Sequence, residues 1–344
     1  MAKPPLLLKA HRWIALAFAP LLLLQAMTGV ALLFRDELTA LAVPVEVQAA
    51  RQAPLSTMVE AAKHSFPETR LTRLFFPIDD RSAAFAQLEG ADGALRFAAI
   101  DPADGKVISA GSIWRYPFEA VLQIHYRLIA GWAGLAVVAL NGLALVVLAM
   151  SGLWHWWPRA RSLTRELTAP ARAPARLKLR MWHRSLGAVL ALVLLTTATT
   201  GILLSAPNLP LFAAPAAPSA DHVTLEPNDL DRAFDLAQSN YPGARPRDVR
   251  FAPDGTLSFN FFAPRGGKWA VDVVTVSATR QQVTARLPLE KNPALWLITL
   301  PIHTGDLIGP AGRWPMLAAA LALMVLTISG PLMWWRSRGK RRQA

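Results

Sequence analysis

The chain has 344 residues, of which 53% are hydrophobic and only 17% are charged, and its mean hydropathy is +0.29. This composition is typical of a membrane protein. Cysteine is absent, which excludes disulfides, iron–sulfur clusters, thiolate metal sites and covalent attachment of a c-type haem, but not metals bound through the seven histidines. The net charge of +13 follows mostly from membrane topology, so a nucleic-acid partner is not expected.

Four apolar runs are long enough to cross a lipid bilayer, which requires about 20 residues. In chain order they cover residues 13–34, 132–157, 185–204 and 315–335. The first run is longer than the ~7–15 apolar residues of a signal peptide, so we interpret it as an uncleaved anchor.

Basic residues predict the orientation of these spans. Residues 1–12, the loop 158–184 and the tail 336–344 together hold 16 basic residues and one acidic residue, whereas the rest of the chain holds 20 basic and 22 acidic residues. Because positive loops stay on the cytoplasmic side, both termini and the middle loop are predicted to be cytoplasmic. We therefore expect a multi-pass protein of a bacterial inner membrane whose two long loops face the periplasm.

The two long loops have similar sequences and predict two small α+β modules. Each begins with a short amphipathic helix that ends in an aromatic–proline pair, Phe66-Pro67 or Tyr241-Pro242, and two or three alternating strands follow. The apolar segments repeat as well. Equivalent residues are 172 positions apart near the start of the repeat and 178 apart near its end, which is typical of a tandem duplication with small insertions.

The predicted fold is therefore an α-helical membrane protein with four transmembrane helices from a parallel two-fold tandem repeat and two small periplasmic α+β modules. The halves should be related by a pseudo-twofold axis along the membrane normal. The predicted parts are a cytoplasmic end with the first span (1–34), the first module (35–118), the second span (119–157), a basic cytoplasmic loop (158–181), the third span (182–205), the second module (206–300), the fourth span (301–335) and a basic tail (336–344).

Four histidines lie at equivalent ends of these spans. His11 and His183 begin the first and third spans at the cytoplasmic face, and His125 and His303 begin the second and fourth at the outer face. A single histidine at a helix end is usually a solvated or capping residue. Two pairs related by a pseudo-twofold axis instead indicate facing imidazoles in an apolar bundle, as a b-type haem requires. Cations that could bind the haem propionates flank these histidines: Arg12, Arg127, Arg184 and Arg313.

His155 offers an alternative ligand at the cytoplasmic face, where it ends the second span. The inner pair is thus either His11/His183, which we favour, or a pair that includes His155, such as His155/His183. We expect His64 and His222 to be ordinary surface residues.

The spacing from His125 to His155 predicts a break in the helix. Thirty residues in one straight helix would measure roughly 45 Å, whereas the apolar core of a bilayer is about 30 Å thick. Gly131 and Gly134, and likewise Gly309-Pro310, suggest breaks after His125 and His303. Both histidines should therefore lie on short segments at the outer surface.

Several short motifs resemble the PepSY-associated transmembrane family. They are "HRW…TG", "HRSLG…TG", an "IH" before each second span, and "SGxxxWWPR" at the inner end; the outer modules resemble PepSY domains. The resemblance covers nearly the whole chain and implies a ferric-siderophore reductase with two haems, whose ligands are His11, His125, His183 and His303. It implies electron transfer across the inner membrane to a ferric siderophore or other ferric chelate in the periplasm, which releases Fe(II) for uptake.

The electron donor should be a separate molecule. No G-x-G-x-x-G follows a predicted strand, so the chain carries no sign of its own dinucleotide-binding domain. A cytoplasmic protein or a quinol would then supply the electrons. The alternative function is a membrane-anchored PepSY protein that binds peptides or regulates a protease without redox activity.

Overall fold

The computed structural model describes residues 6–43, 53–79, 82–157, 173–211 and 223–339. The chain divides into a helical unit and a sheet unit. The helical unit comprises Met1–Leu33, Val121–Ala213 and Leu295–Ala344, and the sheet unit comprises Phe34–Ala120 and Ala214–Ala294.

Four long apolar helices form the helical unit: α1 (Leu6–Leu33), α5 (Gly131–Trp156), α6 (Ala175–Ser205) and α9 (Arg313–Gly339). Each belongs to a segment long and apolar enough to cross a membrane, as the sequence predicts. The helices extend beyond the apolar runs, and α6 starts ten residues before its run because the basic residues of 175–184 are also helical. Their inward sides pack in a core of Leu22, Ala26, Leu145, Leu194, Ala198, Ala319 and Leu323. Large apolar side chains such as Leu140 and Leu192 are exposed, as expected for surfaces that face lipid.

Two short helices, α4 (Pro117–Arg127) and α8 (Trp296–Thr304), precede α5 and α9. The predicted break after each outer histidine is present. The chain takes positive φ angles at Leu128, Ile129 and Gly131 after α4, and at Gly305 and Gly309 after α8.

Glycine is required next to the first break and within the second. A Cβ atom at Gly134 would lie 1.8 Å from the carbonyl oxygen of Arg127, and one at Gly312 would lie 1.8 Å from that of Gly305. Any other residue would therefore force the backbone to move.

The sheet unit contains one antiparallel eight-stranded sheet in the order β4-β3-β2-β1-β5-β6-β7-β8. The strands are β1 (Thr69–Phe75), β2 (Ala84–Gly90), β3 (Leu95–Ile100), β4 (Val107–Ser112), β5 (Pro246–Phe251), β6 (Thr256–Phe262), β7 (Val271–Ser277) and β8 (Gln282–Leu287). The sequence predicts two small modules with two or three strands each, and the structure corrects the strand number and joins the two segments in one sheet. Each segment has four strands, and pairing of β1 with β5 joins them because it satisfies two strand edges that would otherwise be open.

The helices α3 (Leu55–Ser65) and α7 (Pro227–Gln238) cover one face of this sheet. Their apolar residues pack with the strands in one core that includes Met58, Val59, Leu74, Leu88, Leu230, Val249 and Phe259. Asp231 joins the two helices, since its carboxylate accepts bonds from the amide and the hydroxyl of Ser56 at 2.9 and 2.6 Å. A further short helix, α2 (Arg35–Ala42), follows α1.

The opposite face of the sheet is covered in part. Ile113, Tyr116 and Ala120 pack over Phe97 and Ala99 in a second, smaller core. The side chains of Arg73, Asp248 and Arg250 lie on this same face, because they alternate with the core residues Leu74 and Val249.

Candidate functional site

The rings of His125 and His303 face each other in the helical unit. The two residues occupy the last turns of α4 and α8. Their ring centres are 6.3 Å apart and their planes make an angle of 63°. The structure thus brings together the two histidines that the sequence pairs at the outer face.

Thr28 on α1 determines which nitrogen of His125 carries the proton. Its hydroxyl oxygen lies 2.8 Å from Nδ1 of His125 and also 2.8 Å from the carbonyl oxygen of Leu24. A hydroxyl has one proton, and Leu24 can only accept, so Thr28 accepts from Nδ1–H. Nε2 of His125 therefore keeps its lone pair for a metal.

His303 is held in the same tautomer. Its Nδ1 lies 3.0 Å from the hydroxyl of Thr200 on α6 and 3.0 Å from the carbonyl oxygen of Thr197. Because a carbonyl oxygen can only accept, Nδ1 is the protonated nitrogen and Nε2 is available to a metal.

The two inner histidines repeat this arrangement with serine. Nδ1 of His11 lies 2.7 Å from the hydroxyl of Ser151 on α5, and Nδ1 of His183 lies 2.7 Å from that of Ser329 on α9. Each serine also contacts a carbonyl oxygen of its own helix, Ser151 that of Val147 at 2.6 Å and Ser329 that of Leu326 at 3.3 Å. The same reasoning assigns the proton to Nδ1 in both histidines. His183 is close enough to His11 to interact with it electrostatically.

A glycine follows each of the four hydroxyl residues and lies beside the ring that the hydroxyl binds. A Cβ atom at Gly29 would be 3.4 Å from Cε1 of His125, and one at Gly201 would be 3.3 Å from Cε1 of His303. At Gly152 and Gly330 the corresponding distances to His11 and His183 are 3.6 Å. We call each pair of hydroxyl residue and glycine a histidine seat: Thr28-Gly29, Ser151-Gly152, Thr200-Gly201 and Ser329-Gly330.

The sequence interpretation missed the role of these seats. The dipeptides Thr-Gly and Ser-Gly are part of the motifs quoted above, but no contact was assigned to them. The available signal was their recurrence, since Thr28 and Thr200 share the 172-residue offset of His11 and His183, and Ser151 and Ser329 share the 178-residue offset of His125 and His303.

His155 lies near the inner pair but is bound differently. Its Nδ1 is 2.8 Å from the carbonyl oxygen of Ser151, one turn earlier on its own helix. The contact is local to α5, whereas each of the other four histidines reaches a hydroxyl on a different helix. His11 and His155 are close enough to interact electrostatically.

The four predicted propionate partners differ in surroundings. Arg12 is exposed on α1, whereas Arg184 on α6 and Arg313 at the start of α9 are partly buried. Arg127 donates from Nε to the side-chain oxygen of Gln123 at 2.5 Å. Its guanidinium carbon also lies 5.4 Å from the ring centre of Tyr126.

The remaining histidines take no part in these pairs within the described residues. His64 is exposed on α3, as predicted. His222 lies outside the residues that the structure describes.

Fold and site together define a membrane protein with four apolar spans whose helices bring histidines together in pairs. A family model described as the PepSY-associated TM region matches residues 8–337. The chain therefore belongs to the PepSY-associated transmembrane family. No curated protein matches the chain.

Proposed function

We propose that the protein binds two b-type haems in a bacterial inner membrane and passes electrons across it to reduce a ferric chelate in the periplasm. Its activity would be that of a ferric-siderophore reductase that releases Fe(II) for uptake. In this proposal both termini and the loop between α5 and α6 are cytoplasmic, and the sheet unit is periplasmic.

The separation of the His125 and His303 rings is the observation that carries the proposal. Two metal–nitrogen bonds of about 2 Å, plus roughly 1 Å from each nitrogen to its ring centre, place the ring centres about 6 Å apart when both imidazoles bind one metal. The separation of the ring centres in the structure is 6.3 Å. These two residues would hold the outer haem through their Nε2 atoms, while the Nδ1–H bonds to Thr28 and Thr200 fix the orientation of each ring.

The histidine seats support His11 and His183 as the inner ligands. Both rings are bound through Nδ1 to a serine on another helix, in the manner of the outer pair. Nδ1 of His155 is instead bonded to a carbonyl oxygen of its own helix, and this difference favours His11/His183 over a pair that includes His155.

A tandem duplication is part of the proposal. One helix followed by four strands occurs twice in the sheet unit, with β1 and β5 at the centre. Ser56 and Asp231 are bonded and lie 175 residues apart, as are Arg73 and Asp248. Equivalent residues that meet each other are expected beside a pseudo-twofold axis.

When bound, a haem with two imidazole ligands supplies a one-electron couple. The overall reaction uses one electron for each Fe(III) that becomes Fe(II); a quinol donor would give up two electrons and two protons and would serve two ferric ions. Fe(II) attracts anionic oxygen ligands less strongly because its charge is lower, so the chelate would release it. Arg12, Arg127, Arg184 and Arg313 would neutralise the propionates.

Absorption spectra of the purified full-length protein test the proposal. Protein from haem-sufficient cells should have a Soret band, sharp reduced α and β bands, and two haems per chain. His125→Ala and His303→Ala should each remove one haem, and His11→Ala and His183→Ala should each remove the other. A colourless protein would contradict the proposal and favour the anchored PepSY protein that binds peptides or regulates a protease.

Reduction of a substrate needs its own measurement. Dithionite-reduced protein, freed of excess reductant, should be reoxidised by a ferric siderophore while a colorimetric Fe(II) chelator reports one Fe(II) for each electron. A di-haem protein that no ferric chelate reoxidises would retain the haem assignment and exclude the reductase activity.

A further inference from the structure

Three arginines surround one buried carboxylate where the two halves of the sheet join. Asp248 on β5 is fully buried, and its Oδ1 accepts from Nε of Arg73 and from the amide of Asn260, both at 2.8 Å. Nε of Arg247 lies 3.9 Å from Oδ2, and Nε of Arg250 lies 3.7 Å from Oδ1. We call Arg73, Arg247 and Arg250 the arginine cluster.

The positive charge of Arg73 and Arg250 exceeds the negative charge of the one carboxylate that they share. Arg247 adds a third guanidinium group within 4 Å of this carboxylate and has further contacts of its own, and the neighbouring Arg35 is paired with Glu119. Desolvation lowers the pKa of Arg247 to about 10, and the nearby Arg73 and Arg250 act in the same direction although Asp248 opposes them. Desolvation also lowers the pKa of Arg250. Positive charges this close together favour an additional anion.

The carboxylate is hidden while the cations are accessible. The side chain of Arg250 is 51% exposed and that of Arg73 is 23% exposed, against 0% for Asp248. A ligand that approaches this face of the sheet therefore meets guanidinium groups first.

Aromatic rings hold two of these guanidinium groups in place. The guanidinium carbon of Arg73 lies 4.2 Å from the ring centre of Phe75, and that of Arg247 lies 5.2 Å from the ring centre of Trp269. Contact with a ring face leaves the N–H groups at the edge of a guanidinium directed sideways, so they can donate to oxygen atoms.

We propose that the arginine cluster binds a negatively charged, oxygen-rich chelate of a trivalent metal ion, the substrate class of the proposed reductase. Charge-assisted bonds from guanidinium to carboxylate or catecholate oxygens would supply the affinity. The choice of a ferric chelate rests on the proposed function. The preference for an anion rests on the cluster alone.

Equilibrium dialysis with gallium(III) citrate tests the site in the full-length protein in neutral phosphatidylcholine nanodiscs. Gallium(III) is not reduced, so binding is measured without electron transfer and without haem. Arg250→Gln should weaken binding about tenfold, the loss expected for one charge-assisted hydrogen bond. Arg280→Gln removes the same charge from an exposed position elsewhere in the sheet unit and should leave binding unchanged.

Equal binding by Arg250→Gln and Arg280→Gln would overturn the proposal, as would tighter binding of a neutral gallium(III) trihydroxamate than of the citrate complex. Arg250→Lys keeps the charge but not the planar fork, and binding intermediate between wild type and Arg250→Gln supports recognition by guanidinium. If gallium(III) citrate does not bind but phosphatidylglycerol does, with a loss in Arg250→Gln, the cluster binds a lipid headgroup and the proposal fails. Chelate binding by a haem-free protein would support this site and refute only the reductase.

Discussion

His303 donates its Nδ1 proton to Thr200, which precedes it by 103 residues and lies on another helix. Each of the four paired histidines makes such a bond, and in each case the acceptor is the hydroxyl residue of a histidine seat. The hydroxyl orients the ring. Because it accepts from Nδ1–H, Nε2 is left without a proton and can only accept.

In the proposed di-haem protein, removal of a seat hydroxyl should therefore weaken haem binding at one of the two histidine layers only. We expect Thr28→Val to lower the affinity of the His125/His303 layer for haem by about 10–100-fold, the usual cost of losing a partner of a metal-binding histidine. The loss of haem affinity in Thr200→Val should lie at the lower end of this range, because His303 retains the Thr197 carbonyl as an acceptor. Haem titration of the apoprotein measures both, and Thr28→Ser, which keeps the hydroxyl, is the control. Equal affinities for the valine and serine variants would contradict the role of the seats.

The seat glycines should tolerate alanine better than valine. A Cβ atom at Gly29 would make an ordinary contact with Cε1 of His125 at 3.4 Å, whereas the extra methyl groups of valine would press on the ring. Gly29→Ala should thus keep two haems per chain and Gly29→Val should keep one. Gly187→Val is the matched control in a long helix, because its nearest neighbour is Leu326 and not a histidine. Loss of haem from Gly187→Val as well would indicate a general packing defect instead.

Gly134 should accept no side chain at all. Its Cβ atom would overlap the carbonyl oxygen of Arg127, two residues after His125, so Gly134→Ala should displace α4. We expect this variant to lose the outer haem and retain the inner one, and Gly312→Ala to have the same effect through α8. The pyridine haemochrome assay counts the haems that remain. Retention of both haems by either variant would show that the breaks do not position the outer histidines.

His155→Ala should leave both haems in place. The ring bonds to its own helix at the Ser151 carbonyl, so its loss leaves the seats of His11 and His183 unchanged. Ser151→Ala, by contrast, should weaken the inner haem, and electron paramagnetic resonance of the oxidised protein should report a change confined to one low-spin signal. A loss of the inner haem in His155→Ala with its retention in His11→Ala would reverse the ligand assignment.

The stability of the sheet unit should depend on the buried side chains where β1 pairs with β5. Leu74 and Val249 are fully buried partners across the β1–β5 pairing. Leu74→Ala should destabilise the sheet unit by about 3 kcal/mol, the usual cost of a buried leucine-to-alanine change. Thermal unfolding followed by the β-sheet signal in circular dichroism measures this, with Val107→Ala on the exposed edge strand β4 as the control. Equal melting temperatures for Leu74→Ala and Val107→Ala would show that the β1–β5 pairing does not stabilise the sheet as one cooperative unit.

The spans could be predicted because length and hydropathy alone define them. The pairing of His125 with His303 could be predicted because the similarity between the two parts of the sequence relates residues that no local pattern connects. The pairing of β1 with β5 could not be predicted, because pairing of strands some 175 residues apart leaves no local signal in the sequence. The hydrogen-bond partners of the histidines could not be predicted for another reason. Serine and threonine in apolar helices commonly bond their own backbone, so nothing in the sequence shows that Ser151 and Thr28 accept a second bond from a ring.

The shared sheet has a consequence for chains that contain one half alone. The sheet of such a fragment would have an open edge at β1 or at β5, and the fragment would carry one histidine of each pair, so it could complete both only by assembling with a second copy. Linking the halves makes that assembly intramolecular, and it fixes their ratio at one to one. In the proposed duplication, it also allows the two copies to differ beside the pseudo-twofold axis, where Arg73 is bonded to Asp248, its equivalent in the other half.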